Sequence, residues 1–125
     1  MRRVVVLIAG AGAACFSDRS PVAPPAGAAD CVLPLQPVAR GDAIVLIRGQ
    51  QFLPDTVRVR SGEAVTWVNC EEAGADPHTS TALDGQWDSP LLHRGDFFTY
   101  SFADPGNVGY LCLPHSHMRG VVIVE

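Results

Sequence analysis

The chain of 125 residues contains no lysine, so all nine of its basic residues are arginine, and thirteen acidic residues outnumber them. The net charge is therefore -4 at pH 7, and no run of basic residues interrupts the sequence. Proteins that bind nucleic acids need a concentration of positive charge that neutralises phosphates. We therefore expect no nucleic acid among the partners of this protein.

The sequence also lacks the common signatures of catalysis. It shows no nucleophile–base triad, no glycine-rich phosphate loop and no pair of carboxylates suited to acid–base chemistry. About 95 residues follow an atypical first thirty, which is enough for one small domain and too few for two. We expect a single-domain monomer that is not an enzyme.

No apolar run reaches the length of a membrane-spanning helix. The longest, residues 4–14, has about eleven residues, whereas a bilayer core of roughly 30 Å needs about twenty. Because it follows two arginines, this run predicts an export signal over residues 1–15. Cys15 comes after three small residues, as in bacterial lipoprotein signals, but Gly12 stands where those signals carry an aliphatic residue. Lipidation of Cys15 and plain signal-peptidase cleavage just before it both stay open.

The segment after the signal is rich in proline and alanine and shows little periodicity. It predicts an extended tether over residues 16–36, followed by a folded domain over residues 37–125. Export places this domain in the periplasm or elsewhere outside the cytoplasm. A lipidated Cys15 would tether it to a membrane surface without embedding it.

Short strand patterns recur along the domain, separated by glycine, proline and aspartate. Residues 56–60 alternate strictly, and residues 97–102 place Phe98, Tyr100 and Phe102 on one face. The sequence shows no convincing amphipathic helix and no internal repeat. We therefore expect an all-β antiparallel sandwich or barrel, with strands over residues 43–48, 56–60, 64–70, 97–102, 108–112 and 121–124.

Four cysteines must be assigned in a chain that meets an oxidising compartment. Cys15 belongs to the export signal and Cys112 to the loop described next, which leaves Cys31 and Cys70 free to pair. Such a bridge would close a loop of about forty residues and stabilise the fold by roughly 3–4 kcal/mol. Two free thiols, or Cys70 as a metal ligand, stay open as alternatives.

The most informative segment is the C-terminal loop that carries Cys112, His115 and Met118 between two strand patterns. Two residues separate each from the next, so a tight loop can present all three around one point. Thiolate, imidazole and thioether together suit a copper ion that alternates between Cu(I) and Cu(II), because sulfur favours Cu(I) while imidazole binds both states. His78 is the candidate for the second imidazole of such a site.

This loop resembles the copper loop of the cupredoxins, the small blue-copper proteins, and its Cys-x-x-His-x-x-Met spacing followed by Arg-Gly is most similar to that of amicyanin. The resemblance covers residues 43–125 and includes the Pro-His-Thr motif around His78. It implies a Greek-key sandwich or barrel of seven to eight strands with one type 1 copper. The implied ligands are His78, Cys112, His115 and Met118.

The resemblance also implies a role. A cupredoxin would transfer single electrons between redox proteins that dock transiently near His115, Leu113 and Pro114. Asn69 and Thr79 would supply hydrogen bonds that fix the His78 loop, because metal sites depend on such support. The alternative is a periplasmic copper-transport or copper-resistance protein without electron transfer. Methionine- or histidine-rich tracts would favour that alternative, but the chain has only two Met and four His.

Two features depart from the family pattern. The connection from Asn69 to His78 is longer than usual and carries an acidic insertion, residues 71–76, which we expect to be solvated. Stabilisation of Cu(II) and contact with a partner are its alternative roles. The second feature is His117, which lies next to the proposed axial ligand and is expected to be exposed beside the copper edge. Contact with a partner and service as a spare ligand both stay open for it. His93 is expected to be a surface residue.

Overall fold

The computed structural model describes residue 31 and residues 41–125, and the predicted signal and most of the predicted tether lie outside these residues. The described part of the chain contains no helix that is both long and apolar enough to cross a membrane. It forms eight strands, which are β1 (Ala43–Arg48), β2 (Gln51–Leu53), β3 (Thr56–Val59), β4 (Ala64–Asn69), β5 (Thr81–Ala82), β6 (Phe97–Ser101), β7 (Gly106–Leu111) and β8 (Arg119–Val124).

The strands form two four-stranded sheets, with the orders β2-β1-β4-β6 and β3-β8-β7-β5. The expected all-β sandwich is confirmed, but both sheets are mixed. The pairs β1–β4 and β3–β8 are parallel, and the other pairs are antiparallel. Parallel pairs arise here because the chain crosses to the other sheet between the paired strands, which are therefore not joined by a hairpin.

The core lies between the two sheets and is centred on aromatic side chains. Trp67 of β4 stacks on Trp87 with ring centroids 5.3 Å apart, and Tyr110 of β7 meets Trp67 edge-on at the same separation. Gly120 lets the Tyr110 ring pass close to β8, because a Cβ atom there would overlap that ring. This core fixes β7 and β8 relative to β4, and these three strands lead into or out of the candidate site.

A tight hairpin joins β1 to β2. Gly49 and Gln50 form its two-residue turn, and both have positive φ, 59° and 54°. Paired positive φ values characterise the turn whose twist matches a two-stranded ribbon. Since Gln50 adopts this conformation with a side chain, the turn carries local strain.

The structure contains a disulfide between Cys31 and Cys70, which confirms the predicted pairing. Cys70 directly follows β4 and is buried. Its amide donates a 2.8 Å hydrogen bond to the carbonyl of Ile47 in β1. The bridge therefore fixes Cys31 where β4 enters the loop that carries His78.

Replacing both Cys31 and Cys70 with serine is expected to lower the free energy of unfolding by about 4 kcal/mol. The reason is that the bond spans 39 residues and restricts the unfolded chain. Chemical denaturation of the metal-free protein measures the change, and reduction of the wild type should produce the same loss. An unchanged midpoint after complete reduction would show that the bridge does not stabilise the fold.

Candidate metal centre

The loop between β7 and β8 is closed by its own backbone. The amide of Cys112 donates to the carbonyl of Met118 at 3.1 Å, and the amide of Met118 donates to the carbonyl of His115 at 2.9 Å. Cys112 and Met118 are both buried in the hydrophobic core, whereas the His115 side chain is 17% exposed. The loop therefore presents these three side chains from a fixed frame.

His78 reaches the same place from a different part of the chain. Its amide and carbonyl form a pair of hydrogen bonds with Leu92, 3.1 and 2.7 Å long, so the two backbone segments make an isolated bridge. The His78 side chain is only 1% exposed. Its placement thus depends on residues that lie far from it in sequence.

Three donor atoms converge at this point. Cys112 Sγ lies 3.6 Å from His78 Nδ1 and 3.7 Å from His115 Nδ1. The donor atoms of all three residues lie within 4.8 Å of one another. The structure therefore brings together three of the four predicted ligands, and Met118 lies in the same closed loop.

A buried carboxylate holds the far side of the His78 ring. His78 Nε2 donates to Glu71 Oε1 over 3.1 Å, which leaves Nδ1 facing the cysteine. The same carboxylate accepts the backbone N–H groups of Gly49 and Gln50 at 2.9 and 2.7 Å. Glu71 thus joins the strained β1–β2 turn to one imidazole of the site.

The environment of this pair shifts both pKa values downward. Burial lowers the pKa of His78, although the neighbouring Glu71 carboxylate opposes that effect. For Glu71, burial alone would raise the pKa, but the amides of Gln50 and Gly49 and the contact with His78 outweigh it and lower the pKa. The geometry therefore favours an ionised Glu71 beside a neutral His78, and neutral imidazole is the form that binds a metal.

The expectation of a solvated acidic insertion is therefore wrong for Glu71, which is 7% exposed. It holds for Glu72 and Asp76, which are exposed. Asp76 lies 3.8 Å from His115 Nε2 and is 78% exposed. Sequence reasoning missed the role of Glu71, whose only local signal is a carboxylate placed two residues after a buried strand.

The two residues expected to support the His78 loop both make the required hydrogen bonds. Asn69 donates to the carbonyl of Leu92 at 2.8 Å and accepts the amide of Glu71 at 2.9 Å. Thr79 donates its amide to Cys112 Sγ at 3.4 Å, and its hydroxyl accepts the amide of Leu113 at 2.9 Å. These contacts connect the two ligand-bearing loops directly.

The remaining histidines lie at the surface, as expected. His93 is exposed. His117 is also exposed, and its ring centroid is 6.2 Å from that of His115. Among the described residues, neither belongs to a group of side chains that is arranged to hold a metal ion.

The donor set indicates which ion fits. One thiolate and two imidazoles suit soft or borderline metals, and the group contains no carboxylate oxygen, which calcium and magnesium require. Three nitrogen and sulfur donors with a thioether nearby form the arrangement of a type 1 copper site. Copper therefore fits the residues present.

Comparison with known proteins agrees with this geometry. The chain is 32% identical over 117 residues to amicyanin-alpha of Methylorubrum extorquens, covering 92% of this chain and 94% of that protein. It is 30% identical to amicyanin of Paracoccus denitrificans over 90 residues, covering 70% and 69% of the two chains. A copper(I) structure of a methionine-to-alanine variant of amicyanin superimposes with a TM-score of 0.63 at 28% identity, over 77% of this chain and 93% of that one.

The family model described as copper-binding proteins of the plastocyanin/azurin family matches residues 45–125. This match includes every strand from β2 to β8 and all four predicted ligands. The expected cofactor, copper, and the expected cupredoxin fold are thereby confirmed. The chain belongs to the plastocyanin/azurin family of copper-binding proteins.

Proposed function

We propose that this protein is an exported carrier of single electrons that uses one copper ion held by His78, Cys112, His115 and Met118. The observation that carries the proposal is the convergence of one thiolate and two imidazoles within 4.8 Å on a hydrogen-bonded frame. Copper supplies the one-electron couple between Cu(I) and Cu(II).

The protein's own contribution is a site that resists rearrangement. Glu71 holds the His78 ring, and Thr79 joins the His78 loop to Cys112 and Leu113. A donor set held in this way changes little when the charge at its centre changes. This rigidity favours fast electron transfer, because a transfer step is slow when ligands must move with each change of oxidation state.

The surface around His115 suits a transient redox partner. His115 is the partly exposed ligand, and the neighbouring Leu113 and Pro114 are exposed, Leu113 by 58%. We propose that partners dock on this apolar edge. Redox encounters commonly bury less than about 1,200 Å², so a small patch is sufficient for a short-lived complex.

Retention of copper distinguishes electron transfer from copper transport. The copper-loaded protein is cycled repeatedly between ascorbate and ferricyanide in the presence of a Cu(I) chelator and a Cu(II) chelator. An electron carrier is expected to keep its copper in both states, since its donors stay in place. Transfer of Cu(I) to the chelator within a few cycles would instead support a copper carrier.

A further inference from the structure

A relay of hydrogen bonds through hydroxyl groups leads away from the metal centre and involves no metal ligand. The amide of Leu113 donates to Thr79 Oγ1 at 2.9 Å, and Thr79 Oγ1 lies 3.1 Å from Thr81 Oγ1. Thr81 Oγ1 in turn donates to Asp88 Oδ1 at 2.9 Å. The groups become more exposed along this relay, since Thr79 is 4% exposed and Asp88 lies at the surface.

The carboxylate at the end fixes the direction of every hydrogen bond in this relay. An ionised carboxylate only accepts, so Thr81 uses its single hydroxyl hydrogen on Asp88. The remaining contact must then run from the Thr79 hydroxyl to the Thr81 oxygen. All the bonds consequently point from Leu113 toward Asp88, and hydrogen bonds aligned in this way polarise and strengthen one another.

The backbone places Thr81 against Asp88. The amide of Ala82 donates to the carbonyl of Trp87 at 2.9 Å, and the amide of Ser89 donates to the carbonyl of Ser80 at 3.0 Å. These bonds close a hairpin whose first strand is β5, which also pairs with β7 just before Cys112. The relay is therefore anchored at both ends on ordered backbone.

We infer that Thr81 and Asp88 are remote positioning residues for the copper centre, acting through Thr79 on the junction between the two ligand-bearing loops. Thr79 follows His78, and Leu113 follows Cys112, so the relay holds together the neighbours of two ligands. The Thr79 amide that donates to Cys112 Sγ lies at the same junction. This inference rests on the proposed copper site but assigns residues outside it.

Loosening the junction should shift the reduction potential in one direction. An N–H group that donates to the cysteine sulfur stabilises a more negative thiolate, and the thiolate is more negative in the Cu(I) state. Thr81→Val removes the relay hydroxyl without changing charge, so it should weaken this N–H contact and lower the reduction potential. Thr81→Ser keeps the hydroxyl and should restore the wild-type value.

The first readout needs no copper. In the metal-free protein, Thr81→Val and Asp88→Ala should speed amide hydrogen exchange at Leu113 about two- to tenfold, the range expected for loss of one hydrogen bond. Asp84→Ala is the matched control, because Asp84 lies in the same hairpin and its side chain accepts two hydrogen bonds from Gln86, which is outside the relay. Exchange at Val122, in the core of β8, should not change.

The second readout is the reduction potential of the copper-loaded protein. We expect a lower potential for Thr81→Val and a wild-type potential for Thr81→Ser, with Asp88→Ala below Asp84→Ala, which removes the same charge. The double variant Thr81→Val/Asp88→Ala should match the single Thr81→Val in Leu113 exchange, because Asp88 acts on Leu113 only through the Thr81 hydroxyl.

Three outcomes would overturn the inference. They are wild-type Leu113 exchange in Thr81→Val, equal behaviour of Asp88→Ala and Asp84→Ala, and an equal rise in exchange at Val122, which would indicate global destabilisation. Failure of the proposed function is distinguishable, because the copper-loaded wild-type protein would then lack the intense blue absorption. The exchange experiment needs no metal and does not depend on that result.

Discussion

Cys112→Ser is expected to abolish the intense visible absorption of the copper-loaded protein. The absorption of a type 1 site comes from charge transfer between the thiolate and copper, and a serine hydroxyl offers neither the soft sulfur nor its charge at neutral pH. The Cys112 sulfur also lies 3.6 and 3.7 Å from the Nδ1 atoms of the two imidazoles. Visible spectroscopy of the copper-titrated variant, with copper content measured in parallel, checks this result.

Ser116→Ala is the matched control for Cys112→Ser. Ser116 is exposed in the same loop, so its replacement should leave the colour and the copper content unchanged. A Cys112→Ser protein that retained the blue band at full intensity would contradict the assignment of Cys112 as the thiolate ligand. The same result would leave the family membership intact, since that rests on the whole of residues 45–125.

Glu71→Ala is expected to weaken both the fold and the metal site. The change removes the carboxylate to which three groups donate hydrogen bonds. These groups are the amides of Gly49 and Gln50 and the Nε2 of His78. Loss of charge-assisted hydrogen bonds at a buried position should lower the free energy of unfolding by roughly 2–3 kcal/mol. Copper affinity should fall roughly 10- to 100-fold, since groups that orient a metal-binding histidine have effects of this size.

Glu72→Ala provides the control for Glu71→Ala, because it removes the same charge from the next residue, which is exposed. Urea denaturation of the metal-free proteins and competitive copper titration measure the two effects. If both variants weakened copper binding equally, the effect would arise from net charge, and the orienting role of Glu71 would be refuted.

The metal loop could be predicted from sequence because its information is local. Cys112, His115 and Met118 lie within seven consecutive positions, and their chemistry restricts the metal. Strands such as β1 and β6 could also be predicted from sequence, because their hydrophobic runs and alternation extend over five or six residues. In contrast, β2 and β5 have three and two residues, too few to show a period, and the residue pattern did not predict them.

The support around the metal could not be predicted because it depends on contacts between distant segments. Glu71 is buried since the turn at Gly49 and Gln50, 22 and 21 residues away, offers it two amides. Thr81 and Asp88 meet only after the hairpin forms. The parallel pairs have the same cause, as they depend on how the chain crosses between sheets. Local patterns identified the donor atoms, and tertiary structure determines what holds them.

The visible and electron paramagnetic resonance spectra of the copper-loaded protein test the proposed function most directly. We predict an intense blue band and narrow copper hyperfine splitting in the oxidised state, because Cys112 and two imidazoles converge on one point. Both signals should disappear on one-electron reduction and return on oxidation. A protein that stayed colourless with copper bound, or that showed the wide splitting of ordinary Cu(II), would contradict this account.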